Sequence, residues 1–298
     1  MPKTTIMIPA RNEQFLPHTI EDIYKNAVGD IEVIAVLDGY WPEPPLEDRK
    51  NLVIVHHGAK QGMRASINHA AAIARGRYLM KCDAHCAFDE GFDEKLRAVC
   101  EDRMVVIPRR YSLDAENWCI KKEKPAIDAH YLCYPYLKPE ELGLHGNIWL
   151  ERGKERRDVL VDDEMSSQGS CWFMRSRHFR RLGGLSENGY GTFVQEFQEI
   201  GLKTWLDDGR VVVNKKTWYA HLHKGRKYGR GYFIDKREMI DGTHYSMHYW
   251  MNDQWEKRKH DILWLVKKFW PVPGWPTKED GSLDEEQVAR DIEKWNNA

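Results

Sequence analysis

The chain has 298 residues, with 45 Lys and Arg against 46 Asp and Glu and a formal net charge of -1. That length suits one α/β domain over 1–235 followed by an extension over 236–298. The balanced charge excludes a uniformly basic or acidic binder while leaving local patches open, and no run of about 18 apolar residues is present to span a membrane.

Residues 4–9 (TTIMIP) form a β-branched run that predicts a buried strand. The opening stretch lacks the long apolar core of a secretory leader. The six cysteines have no framework spacing, so reduced thiols and a cytoplasmic location are expected. A helix is predicted over 15–27, then strands over 31–38 (IEVIAVLD) and 51–57 (NLVIVHH). An Ala-rich helical stretch covers 62–76, and YLMKCDAH (78–85) is a strand running into polar residues. The region 109–165 reads as loops with a hairpin. GSCWFM (169–174) predicts a strand, 193–209 a helix, and 210–225 a strand leaving the core. The tail is aromatic, and DILWLVKKFW (261–270) is amphipathic at helical spacing, which predicts docking on the domain.

Alternation of strands and helices implies a mostly parallel sheet covered on both faces. Ligands of such sheets bind beyond the carboxyl ends of the strands. Pro9–Glu13, Asp38–Tyr40 and Asp83–His85 all fall at those ends. Asp83 and His85 are i and i+2 on an extended segment and point to one side. One carboxylate and one imidazole can grip the same divalent ion, and an imidazole favours Mn²⁺ over Mg²⁺. The basic segment 209–234 carries Arg210, Lys215, Lys216, Lys224, Arg226, Lys227 and Arg230, interleaved with aromatics and without an acid. That pattern suits a phosphate backbone and unstacked bases as well as a donor lid.

TTIMIPARNE, VLDGY and GMRASINHAAAIARGRYLMKCDAHC, in that order, resemble the GT-A fold glycosyltransferases of family 2. The resemblance covers about residues 4–225 and implies a Rossmann-like GT-A sheet flanked by helices, with the aromatic tail as a helical extension. It implies a nucleotide-sugar donor, expected to be a UDP-sugar, contacted by Pro9, Ala10, Arg11, Glu13, Asp38, Arg64 and Asp83. It implies a third metal ligand in WYAHLHKG, where His221 matches best and His223 is the spare. It also implies an inverting mechanism with a general base at the start of the helix after GSCWFM, where Glu196 matches and Glu199 is the neighbour; the Asp that usually follows the first Glu is Phe197 here.

A narrower resemblance links VNKKTWYAHLHKGRKYGRGYF, GSCWFM and LMKCDAHC to phage-encoded and TET-associated family 2 enzymes. It implies a 5-hydroxymethylpyrimidine in DNA as acceptor, with Trp172 or Trp118 for stacking and Lys224, Arg226 and Lys227 for phosphates. A flipped-out base would be required. A saccharide, protein or lipid acceptor is the alternative, and a non-catalytic nucleotide-sugar or nucleic-acid binder is the reading from another class.

Overall fold

The structure is a computed structural model that describes residues 2–135 and 143–297. In chain order it runs β1 (Thr4–Ala10), α1 (Leu16–Asn26), β2 (Ile31–Asp38), β3 (Leu52–His57), α2 (Met63–Ile73), β4 (Tyr78–Cys82), β5 (Cys86–Phe88) and α3 (Phe92–Val99). The middle holds β6 (Met104–Asp114), β7 (Cys119–Ile120), β8 (His130–Leu132), β9 (Gly146–Ile148), α4 (Leu150–Glu155), β10 (Val161–Asp163), β11 (Cys171–Arg175), α5 (Ser176–Leu182), α6 (Glu196–Leu206) and β12 (Arg210–His221). The tail adds α7 (Gly225–Tyr228), α8 (Lys236–Met251), α9 (Ile262–Lys268) and α10 (Glu285–Asn296).

The main sheet has the order β10-β12-β6-β11-β4-β1-β2-β3, with β5 paired to β12 and β7 to β6. β1, β2, β3 and β4 are parallel, as the βα alternation predicts. β11 runs antiparallel to both β4 and β6, so it reverses direction inside an otherwise parallel core. β6 and β12 are again parallel to each other, which returns their carboxyl ends to the edge used by β1, β2 and β4.

Alternate residues of the central strands feed two cores, as a period of two requires. Met7, Ile34, Val36 and Leu79 face one layer. Ile6, Ile8, Val33, Ala35 and Met80 face the other, with Ile20, Ile23, Phe92 and Leu96. The aromatic tail belongs to the first core: Trp250, Trp255, Leu265, Phe269, Trp275 and Trp295 are all buried in it. The amphipathic run at 261–270 therefore docks on the domain, burying Ile262, Leu265, Val266 and Phe269.

Two fold expectations differ from the described residues: the strand expected over 78–85 stops at Cys82, so that 83–85 form a turn, and the stretch expected to be loop contains a strand. The region from 109 onward is not all loop, because β6 reaches Asp114 and lies between β11 and β12. The predicted hairpin corresponds to the antiparallel pair β8–β9; the part of that expectation on 136–142 lies outside the described residues. Among the described residues, no helix is long and apolar enough to cross a membrane.

Candidate active site

A cleft of about 780 Å³ opens at the carboxyl edge of the sheet. Pro9, Ala10, Arg11 and Glu13 enter it from the end of β1, Asp38 from β2, Asp83 and His85 from the turn after β4, and His221 from the end of β12. Topology explains how residue 221 reaches residue 83. Directly after the D-A-H turn, β5 doubles back and pairs with the last residues of β12, setting His221 opposite Cys86. Leu222 then donates its N–H to the carbonyl of His85 at 3.1 Å.

Asp83, His85 and His221 each offer a ligand atom, and these atoms lie within 4.8 Å of one another. His221 Nε2 is 3.1 Å from Asp83 Oδ2, and His85 Nε2 is 3.9 Å from the same oxygen. Burial pushes the His221 imidazole down to about 3, against the opposing pull of Asp83. Burial also lowers His85. Both rings are thus neutral near pH 7, the form that ligates. Burial acts to raise Asp83, but Lys81 and the two imidazoles hold its carboxyl well below the ordinary range. A carboxylate and two neutral imidazoles in this arrangement fit a divalent transition-metal cation such as Mn²⁺.

Two acids support the cluster. Glu13 Oε2 lies 2.8 Å from His85 Nδ1, leaving His85 Nε2 facing Asp83. Such outer carboxylates fix the orientation of a ligating ring. Glu13 also accepts from Lys224 through its other oxygen. The second acid is Glu196. Lys81, in β4 two residues before Asp83, donates to Asp83 Oδ1 at 2.7 Å, to Glu196 Oε2 at 2.9 Å and to the Gly169 carbonyl at 2.8 Å. All three of its ammonium hydrogens are satisfied in a fully buried position. Burial alone would lower Lys81; the carboxylates of Asp83 and Glu196 hold it above its ordinary value. Trp172 stands opposite Lys81 in the β4–β11 register and donates Nε1–H to Glu196 Oε1 at 2.5 Å.

The structure places several of the expected site residues away from the cleft. Glu196 is buried, does not line the cleft, and has both oxygens engaged. A general base needs a lone pair facing the acceptor, and in this structure both Glu196 oxygens face Lys81 and Trp172 instead of the cleft. Glu199 is also outside the cleft, bonded to Arg64, Lys203 and the N–H of Ser186. Arg64 is 1% exposed, donates to the Val194 and Ser186 carbonyls, and lies 3.9 Å from the Tyr190 ring centroid. It braces the loop before α6 and does not reach the cleft where a donor would lie. Trp172 is 0% exposed and has no face for stacking. Trp118 does not line the cleft; its ring lies against Phe15 and His18, and its Nε1–H donates to Asp22 Oδ2 at 3.0 Å.

The remaining residues stand where a donor could meet them. Asp38 lines the cleft while its carboxylate accepts from the N–H groups of Gln61 and Gly62 at 2.7 and 3.0 Å. Arg11 sits 5.2 Å from the ring centroid of Tyr232. Lys224 enters the cleft, where burial and Arg230 lower it to about 8. Arg226 and Lys227 lie outside the cleft on α7 and are exposed, with Lys227 paired to Glu116. Neither Lys81 nor the cleft-lining Glu238 was singled out by sequence reasoning. Glu238 accepts from the N–H of Thr192 at 2.6 Å, so the first turn of α8 forms part of the cleft wall. The boundary expected at 235–236 therefore runs through that wall.

Sheet, cleft and acidic turn together have the architecture of the GT-A glycosyltransferases. The chain belongs to glycosyl transferase family 2, whose profile matches residues 5–183, more than half of its length. It is 25% identical over 183 residues to a putative polypeptide N-acetylgalactosaminyltransferase 13 of Drosophila melanogaster, a match covering 60% of this chain and 31% of that relative. The chain thus spans less than a third of the curated relative it matches. Among solved structures it is similar to GalNAc-T7 with UDP, GalNAc and Mn²⁺, at a TM-score of 0.62 and 12% identity, covering 99% of this chain and 58% of that one. It is also similar to residues 1–349 of S. aureus TarS in complex with UDP-GlcNAc, at a TM-score of 0.56 and 12% identity, covering 89% and 70%. These two likenesses concern the fold.

Proposed function

We propose that the protein transfers a sugar from a UDP-sugar to an acceptor hydroxyl with the help of Mn²⁺ held by Asp83, His85 and His221. The observation that carries this reading is the meeting of those three side chains, from two strand ends, in a cleft that Asp38 also lines. The bound cation would supply charge neutralisation for a departing diphosphate. The chain's own residues do the rest. Glu13 orients His85, Lys81 and Glu196 fix the Asp83 carboxylate, and Lys224 brings a cation to the phosphate side. Pro9, Ala10, Arg11 and Asp38 line the nucleoside side. Support for the donor comes from the family and from the UDP-bearing structures that share the fold.

For the acceptor, the reading is a 5-hydroxymethylpyrimidine in DNA. Its support is the cleft lining, where Phe233 is 80% exposed and Arg230 is an exposed cation, with Arg226 and Lys227 exposed on the preceding α7. Incubation with Mn²⁺, a panel of UDP-sugars and hydroxymethylated DNA should add the mass of one sugar to the modified nucleoside. Transfer confined to saccharide, protein or lipid acceptors would remove the DNA half of the proposal. Absence of Mn²⁺-dependent UDP binding would remove all of it.

A further inference from the structure

Arg110 is 3% exposed on β6, opposite Tyr219 of β12. A buried guanidinium normally meets a carboxylate, because an unpaired buried charge is costly. Here its side-chain partners are Gln168 Oε1 and His223 Nε2, both uncharged acceptors. Among the described residues no ion pair to Arg110 is formed, and it takes no part in the network around Lys81.

The chemistry of the two contacts fixes what faces outward. Guanidinium can only donate. Gln168 must therefore accept through its oxygen and turn its amide N–H groups away. His223 must accept through Nε2 and carry its hydrogen on Nδ1. Both residues are exposed and line the cleft. Among the described residues, no group accepts a hydrogen bond from Gln168 Nε2 or His223 Nδ1. The cleft thus holds two free N–H donors backed by one buried cation. Gln168 precedes β11 and His223 follows β12, whereas Asp38 ends β2 beyond β4 and β1 in the sheet order, and the His223 ring centroid is 5.2 Å from that of His221.

We propose that Arg110, Gln168 and His223 form a subsite for an anionic oxygen group, a phosphate carried by the acceptor. A donor-only surface with positive charge behind it fits phosphate oxygens and disfavours a cation or a carboxamide oxygen lacking charge. This rests on the transfer reaction proposed above for the identity of the second substrate, and it adds that the accepting hydroxyl belongs to a phosphate-bearing molecule.

The test uses the full chain saturated with Mn²⁺ and UDP, titrated with inorganic phosphate in a calorimeter. Saturable phosphate binding is expected with UDP in place. Arg110→Gln should weaken it by about tenfold or more, the worth of a hydrogen bond to a charged group. Should Arg110→Gln not fold, His223→Phe, which alters an exposed ring, is expected to weaken phosphate binding in the same direction. UDP binding is measured first in each protein. Its absence in the wild type defeats the nucleotide-sugar reading, while retained UDP binding without phosphate binding defeats this subsite alone. Unchanged phosphate affinity in folded Arg110→Gln and His223→Phe also overturns it. UDP-glucuronate bound more tightly than UDP-glucose, with the margin lost in Arg110→Gln, would place the anion on the donor sugar and overturn the acceptor assignment.

Discussion

His85 Nδ1 lies 2.8 Å from Glu13 Oε2, although the two residues follow different strands. The contact leaves Nε2 as the nitrogen turned toward Asp83. Glu13 would therefore act on a cation held by the proposed triad through the ring, in addition to lining the cleft. Glu13→Gln keeps the shape and removes the charge. Its Mn²⁺ affinity, measured by calorimetry without donor, should fall roughly 10–100-fold, the usual effect of losing an outer carboxylate. Wild-type affinity would confine Glu13 to donor contact.

Glu196 gives a sharper contrast. As a free base it would affect turnover alone, by roughly 10²-fold or more. As one of two carboxylates around the buried ammonium of Lys81, it also holds the fold and the Asp83 carboxylate. Removing one partner of a buried pair costs about 3–5 kcal/mol. Glu196→Gln should accordingly lower the melting temperature and weaken Mn²⁺ binding together. A variant with normal melting and normal metal affinity, but slow turnover, would restore Glu196 as the base.

The contrast also marks what the sequence discloses. Asp83 and His85 were legible from their i, i+2 spacing at a predicted strand end, although the strand stops at Cys82 and the pair sits on the turn after it. His221 was legible only through its resemblance, since its approach depends on β5 pairing back onto β12. Lys81 has the same i, i+2 relation to Asp83, yet a lysine on an apolar strand gave no hint of its partner 115 residues away. Arg64 and Glu196 carry charges that local reading assigns to ligands, and tertiary contacts pair them internally instead. The fold was legible through its βα alternation, with β6 the exception. Pro108 and the pair Arg109–Arg110 interrupt its apolar pattern, and proline argues against a central strand. The ladder accommodates it by a register shift in β12 between Asn214 and Trp218, beside Pro108.

The tail should behave as part of the core. Trp250 is buried, and its Nε1–H donates to Tyr190 Oη at 2.9 Å. The Tyr190 ring in turn covers Arg64. Trp250→Ala should cost about 3–5 kcal/mol, as for other large buried aromatics. Denaturant unfolding should remain a single transition with a lowered midpoint. A separate early transition, with the remainder of the protein unaffected, would make the tail an independent unit.

His178 supplies a pH dependence away from the cleft. It is 1% exposed, its Nε2 is 3.2 Å from Thr204 Oγ1, and Nδ1 is buried without a partner. Burial lowers it from 6.5 to about 4, with Asp102 and Asp207 only partly opposing. The folded state therefore favours the neutral ring, and between those two values the unfolded chain binds the extra proton. The stabilisation is complete above the unfolded value and is lost as pH falls toward the folded one, at about 1.4 kcal/mol per pH unit. Between pH 7 and pH 5 the wild type should lose about 2 kcal/mol that His178→Asn, which has no proton to gain, does not lose. The comparison is of the two slopes of unfolding free energy against pH, so the constant cost of the substitution cancels. Parallel slopes would mean that the buried ring takes up its proton without unfolding, through a rearrangement that brings Asp102 or Asp207 to Nδ1.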